Sequence, residues 1–166
     1  MPKIHVSKSI SINKPAAEIY PHLNNFRNWI SWSPWLLMDP NCQLDFAEDN
    51  RSYKWEGKRV GAGNMKVIQE KENQEIHYDL NFTKPWKSAN KTSFYLEDKG
   101  DSTQVTWTMD SSLPLFMFWM KKAMIAYVGA DYERGLQMLK SQAEKGEIES
   151  QLDWKGSVAV EGCQWV

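Results

Sequence analysis

The spacing of apolar residues changes at Pro114, and that change constrains the fold more than any single motif. Before it, apolar residues alternate. Ile76, Tyr78, Leu80 and Phe82 stand against His77, Asp79 and Asn81. Tyr53 and Trp55, Met65 and Val67, Phe94 and Leu96, and Val105, Trp107 and Met109 keep the same period of two. Such alternation predicts half-buried strands. After it, Ile125, Val128, Tyr132, Leu136 and Leu139 fall at three- and four-residue steps, one face of a helix. This helix is expected from about Leu115 to about Lys145, stopping near Gly146.

The first residues add a strand and two short helices. Ile4, Val6, Ile10 and Ile12 share a parity. Pro15 suits the first turn of a helix reaching about Leu23, which Pro21 ends early or kinks. Asn24-Asn25 reads as a turn. Phe26, Trp29 and Ile30 have helical spacing, and this second helix should stop before Pro34. About six strands follow from Cys42. Gly57 to Gly63 reads as turn-like, and Lys99-Gly100-Asp101 as a turn. Short strands joined by short turns imply an antiparallel meander. The fold class is therefore α+β, a sheet whose apolar face needs the long helix as its cover.

With 166 residues the chain favours one domain, here residues 1–146, followed by a tail or linker over 147–166. Val158 and Val160 in that tail could form a short strand. A net charge of −1 gives no global case for nucleic acid or an anionic membrane. Cys42 and Cys163 form neither a disulfide framework nor a metal spacing. The start, Met1 to His5, lacks the apolar region of a signal peptide, and no run reaches the roughly 18 apolar residues of a span. A cytoplasmic chain without a membrane span is expected.

Two apolar clusters carry the functional question. Trp29, Trp32 and Trp35 lie within seven residues, Trp29 to Trp35, of a chain that has nine Trp. They either plug the gap between the short helices and the sheet, or line a ligand cavity or its mouth. Leu113 to Met120 is apolar nearly all round. It suits a buried helix start, a cavity mouth, a dimer contact or a membrane-touching lip. Lys121 and Lys122 give it a basic rim, although two lysines are few to set against anionic lipid.

Catalytic patterns are sparse. His77 and Asp79 share a strand face, but the one opposite Ile76, Tyr78, Leu80 and Phe82, and so look to solvent. His5 and His22 have no partner pattern, and no metal site is expected. Gly61-Ala62-Gly63 leads into a strand, which suits a hairpin turn or bulge and not a phosphate loop. Asp131, Glu133 and Arg134 sit on the long helix. Tyr132 and Leu136 point inward there, leaving Asp131 nearest the boundary, where a raised pKa could serve acid–base chemistry. Gly135 costs about 1 kcal/mol in a helix interior, so a close helix–sheet approach is its expected reason.

The element order and several local motifs resemble the START-like, or SRPBCC, superfamily, and within it the polyketide cyclase/dehydrase-type branch. The matching residues are Ile10-Ser11-Ile12 with Pro15 and Glu18, the Trp29–Trp35 segment with Asp39-Pro40, and Tyr53 to Gly57. Gly61 to Met65, Phe82 to Pro85, Thr103 to Trp107 and Asp131 to Leu136 complete them. The resemblance implies a helix-grip fold, a curved antiparallel sheet wrapped around a long C-terminal helix. It also implies a hydrophobic or amphipathic small molecule, lipids among the candidates, held between sheet and helix.

The expected lining is Trp32, Trp35, Tyr53, Trp55, Tyr78, Leu80, Phe82, Phe94, Trp107, Met120, Met124 and Tyr127. No cofactor is expected and no catalytic residue is assigned. Two alternatives stay open. One is a cyclase- or dehydrase-like enzyme using the same cavity. The other is an interaction module, a homodimer formed through the apolar start of the long helix.

Overall fold

The computed structural model describes residues 2–146. The tail, with Cys163 and the short strand expected at Val158 and Val160, lies outside the described residues. Strand β1 (Lys3–Ile12) is followed by four short helices, α1 (Ala16–Ile19), α2 (Pro21–Asn24), α3 (Phe26–Trp29) and α4 (Pro34–Met38). Six strands come next: β2 (Gln43–Phe46), β3 (Ser52–Gly57), β4 (Gly61–Lys71), β5 (Glu75–Lys84), β6 (Ser88–Asp98) and β7 (Thr103–Ser112). A 3₁₀ helix, Leu115–Met120, then runs into α5 (Lys121–Lys145).

The seven strands form one antiparallel sheet in the order β1-β7-β6-β5-β4-β3-β2. Its inner face carries the alternating residues, among them Ile4, Val6, Ile76, Tyr78, Phe94, Val105 and Trp107, all buried. Helix α5 lies along β1 and runs in the same direction. Lys8 reaches Glu133 at 2.6 Å, Lys140 donates to the Ser11 carbonyl at 2.7 Å, and the Asn13 amide donates to Glu144 at 2.7 Å. Gly146 ends α5 with φ 73°, the left-handed turn that glycine adopts without steric cost.

Three expectations need correction. The two short helices are four. Pro21 splits the first by opening a new turn at its own first position. Pro34 does the same after Ser33: a proline that stops one helix can begin the next. The long helix begins as 3₁₀ structure. The turn-like stretch from Gly57 to Gly63 is mostly strand, with only residues 58–60 outside β3 and β4. Gly63 pairs with Trp55 and Phe82 within the sheet, and it is glycine because the Asn81 carbonyl and the Trp55 ring fill the space a side chain would need. A register shift between Ala62 and Gly63 supplies the expected bulge.

Candidate functional site

The space between sheet and α5 has two unlike halves. In the half near the α5 C-terminus, aromatic rings fill it. Trp107 is sandwiched between Phe94, at 4.6 Å between ring centroids, and Tyr132, at 3.9 Å. Trp29, Trp32 and Trp35 meet Trp107 edge-on, at 6.0, 5.8 and 5.6 Å. Tyr78 closes against Trp29 and Phe94.

Polar atoms in this half are paired. Thr92 Oγ1 donates to the Thr108 carbonyl at 2.8 Å and accepts the Trp107 indole N–H at 2.8 Å. Its one hydroxyl proton is thereby used, so Tyr132 is the donor in their 3.0 Å contact. The Trp29 and Trp32 indoles donate to the Leu23 and His22 carbonyls, and the Tyr78 hydroxyl donates to Leu23 as well. Burial pushes the Tyr78 and Tyr132 phenols well above their ordinary range.

The other half is more open to solvent, its inner-face side chains only partly covered. Along β5 the inner-face residues Ile76 and Tyr78 are fully buried, whereas Leu80 and Phe82 are half-buried. Along α5, Tyr132, Leu136 and Leu139 are buried, whereas Met124, Ile125 and Val128 are half-buried and Tyr127 is exposed. Register places both gradients at one end of the sheet. Phe82 pairs with Ser88 at the start of β6, and Ile4 pairs with Ser111 at the end of β7. Val6 then lies beside Gly129 of α5. Trp55 packs edge-on against Phe82, at 5.6 Å, and beside Tyr53. A polar pair sits on the same face: Asn90 accepts from Ser111 and donates to the Leu80 carbonyl and to Ser88, both at 3.2 Å.

The expected lining residues thus fall into two groups. Trp32, Tyr78, Phe94 and Trp107 are in ring-to-ring contact within the packed half, with Trp35 at its margin. Trp55, Leu80, Phe82, Met120, Met124 and Tyr127 belong to the open half, and Tyr53 stands between, against Phe26 and Trp55.

A separate apolar groove of about 400 Å³ lies between α4, β2 and the C-terminal half of α5. Leu36, Leu37, Met38, Leu44 and Met138 line it, with Asp39 and Arg134. Sequence reasoning missed this groove, since Leu36, Leu37, Met38 and Leu44 neither alternate nor repeat with the core pattern. Asp39 is buried and accepts the Arg59 amide at 2.8 Å and the Val60 amide at 3.4 Å, which ties α4 to the β3–β4 turn. Burial pushes the Asp131 carboxyl above its ordinary 3.8, while a hydrogen bond from the Trp35 side chain and the charge of Arg134 draw it down. Asp131 therefore faces α4. His77 bonds Ser93 at 2.7 Å and Asp79 pairs with Lys91 at 3.1 Å, both on the outer face. Among the described residues, no three His, Cys, Asp or Glu side chains converge as metal ligands would.

The comparisons with known proteins accord with this geometry. A family model described as polyketide cyclase / dehydrase and lipid transport matches residues 3–144. Among solved structures, the chain is similar to protein MLL2253 from Mesorhizobium loti, with a TM-score of 0.66 and 11% identity, covering 87% of this chain and 99% of that one. It is similar to a START superfamily protein from Mycobacterium smegmatis, with a TM-score of 0.61 and 19% identity over 85% of this chain and 97% of that one. The Aha1 dimer from Colwellia psychrerythraea gives a TM-score of 0.62 and 19% identity over 86% and 98%. At these identities the likeness shows the helix-grip fold alone. A search of curated protein sequences finds no match.

Proposed function

We propose, for a chain that belongs to the polyketide cyclase/dehydrase and lipid transport family, that it binds an apolar or amphipathic small molecule where α5 parts from the sheet. The observation that carries this reading is the paired loss of burial, from Tyr78 to Phe82 on β5 and from Tyr132 to Met124 on α5. Apolar surface left half-covered on two facing elements is surface a ligand can cover. Trp55, Leu80, Phe82, Met120, Met124 and Tyr127 would supply the contact, and Asn90 with Ser111 the polar end. A ligand burying about 200 Å² of apolar area there would gain about 5 kcal/mol before ordering costs.

A cyclase- or dehydrase-like reaction needs an acid or base on this inner face. The inner-face positions from Ile76 to Phe82, Asn90 to Leu96 and Thr103 to Ser111 carry no carboxylate or histidine. Asp131, the carboxyl that burial raises, lies beside Trp35 and Arg134 and faces α4 instead. These observations support binding over catalysis.

Native mass spectrometry of freshly purified protein, with extraction of any copurified molecule, tests the reading first. Titration with cis-parinaric acid, followed by its fluorescence, locates the seat. Leu80→Glu with Phe82→Glu should abolish uptake, and Leu37→Trp, which fills the α4 groove, should leave it intact. Uptake that survives the first pair of changes and is lost with the second would move the site to the groove. No uptake by the unchanged protein would end the proposal.

A further inference from the structure

We infer that the rim built from the 3₁₀ helix and the β5–β6 turn docks onto an anionic lipid bilayer. Phe116 is 77% exposed, Trp119 71%, Phe118 64% and, on the turn, Trp86 56%. Four large rings in water are a strong departure, since the other tryptophans among the described residues are tucked into the core or its margin. Single exposed apolar residues need no account, but a cluster marks a contact surface.

Charge then selects the surface. No Asp or Glu occurs between Asp79 and Glu97, a stretch holding Lys84, Lys87 and Lys91, nor between Asp110 and Asp131, which holds Lys121 and Lys122. Register brings the two stretches to one end of the sheet. Lys91 pairs with Asp110, so the β5–β6 turn and the 3₁₀ helix extend from adjoining strands beyond the same edge. Lys84 is paired with Glu56, whereas Lys87, Lys121 and Lys122 are in no ion pair among the described residues. A chain of net charge −1 therefore concentrates positive charge at the rim where its aromatic rings stand out.

Tryptophan and phenylalanine settle at the headgroup level, and flanking lysines meet anionic headgroups. A second copy of this chain fits the same rim less well. A two-fold contact through it would bring two copies of Lys87, Lys121 and Lys122 into one interface with no carboxylate from either stretch to pair them. The rim also adjoins the open half of the sheet–helix space, so a bilayer beneath it would face the mouth of the proposed site.

Co-sedimentation with two kinds of vesicle tests the inference, and no ligand is needed, so its failure is separable from failure of the binding site. One kind is phosphatidylcholine alone, and the other adds phosphatidylserine as the minor component. The protein should sediment with the second at least about tenfold more than with the first, and rising salt should release it. Lys87→Glu with Lys122→Glu should remove the preference for phosphatidylserine. Phe118→Asp should lower binding to both vesicles. Thermal melting checks that each variant is folded, and the lysine variant carries the test if Phe118→Asp is not. Equal binding to both vesicles, or to neither, overturns the inference. A dimer in sedimentation equilibrium that Phe118→Asp dissolves, without vesicle binding, would assign the rim to a second copy.

Discussion

Gly135 of α5 and Trp107 of β7 meet so closely that no side chain fits between them. A Cβ at position 135 would stand 2.7 Å from Trp107 Cζ3 and 3.4 Å from Pro34 Cδ. Trp107 cannot swing away, because Phe94 and Tyr132 hold its two faces. Gly135→Ala should therefore destabilise the domain by about 1–3 kcal/mol, although alanine favours a helix interior by about 1 kcal/mol. Urea unfolding measures the sign. Trp107→Phe is itself costly, but combined with Gly135→Ala the two losses should sum to less than their separate values.

Thr92 serves three partners with one hydroxyl. Thr92→Val keeps its shape and strands the Trp107 N–H and the Tyr132 hydroxyl. The expected cost is about 1–3 kcal/mol. Thr92→Ser, which keeps the oxygen, should cost less than the valine change when both are unfolded in urea.

The two halves of the sheet–helix space should respond oppositely to truncation. Phe94→Ala in the packed half should cost about 3–5 kcal/mol of stability. Phe82→Ala in the open half should cost less than half as much and weaken cis-parinaric acid uptake severalfold. Equal stability losses at the two positions would show that the halves are packed alike.

Stability should fall as acid neutralises Glu70. Burial raises its pKa, but hydrogen bonds from Arg51 and Tyr20 outweigh that and hold the carboxyl below its ordinary 4.5. In the window below 4.5 the unfolded chain binds more protons than the folded one, so stability is present above that value and lost as pH falls through the folded pKa. Glu70→Gln should lower stability at neutral pH and flatten this acid limb. Asp131 has the opposite sign. Its raised carboxyl makes stability decline as pH rises from about its ordinary 3.8, and Asp131→Asn should remove that decline. Unfolding midpoints measured across pH check both.

Much of the fold was legible because strands and helix have different periods. The alternation from Tyr53 to Met109 and the three- and four-residue steps from Ile125 to Leu139 place the sheet and α5 where they are found. Gly135 and Gly146 were readable for steric reasons, one for close approach and one for a left-handed turn. The site was less legible. Trp32 and Phe82 are both apolar residues at expected positions, yet one is sealed in and the other half-covered. That depends on how the short helices and α5 cover each end of the sheet, which no local pattern carries. The extra helix α4 was hidden because Pro34 was read as a stop alone. The all-round apolar Leu113–Met120 segment stood out, but its kinship with Trp86 and Lys87 comes only from the pairing of β5, β6 and β7.

The pairing of β1 with β7 sets a schedule for the newborn chain. Lys3 finds its place opposite Ser112, and the strands between them are already able to zip hairpin by hairpin before that. At about 5–20 residues per second of synthesis, the first strand waits roughly 5–20 s for its neighbour to emerge. Its apolar side, Ile4, Val6 and Ile12, has no strand partner meanwhile.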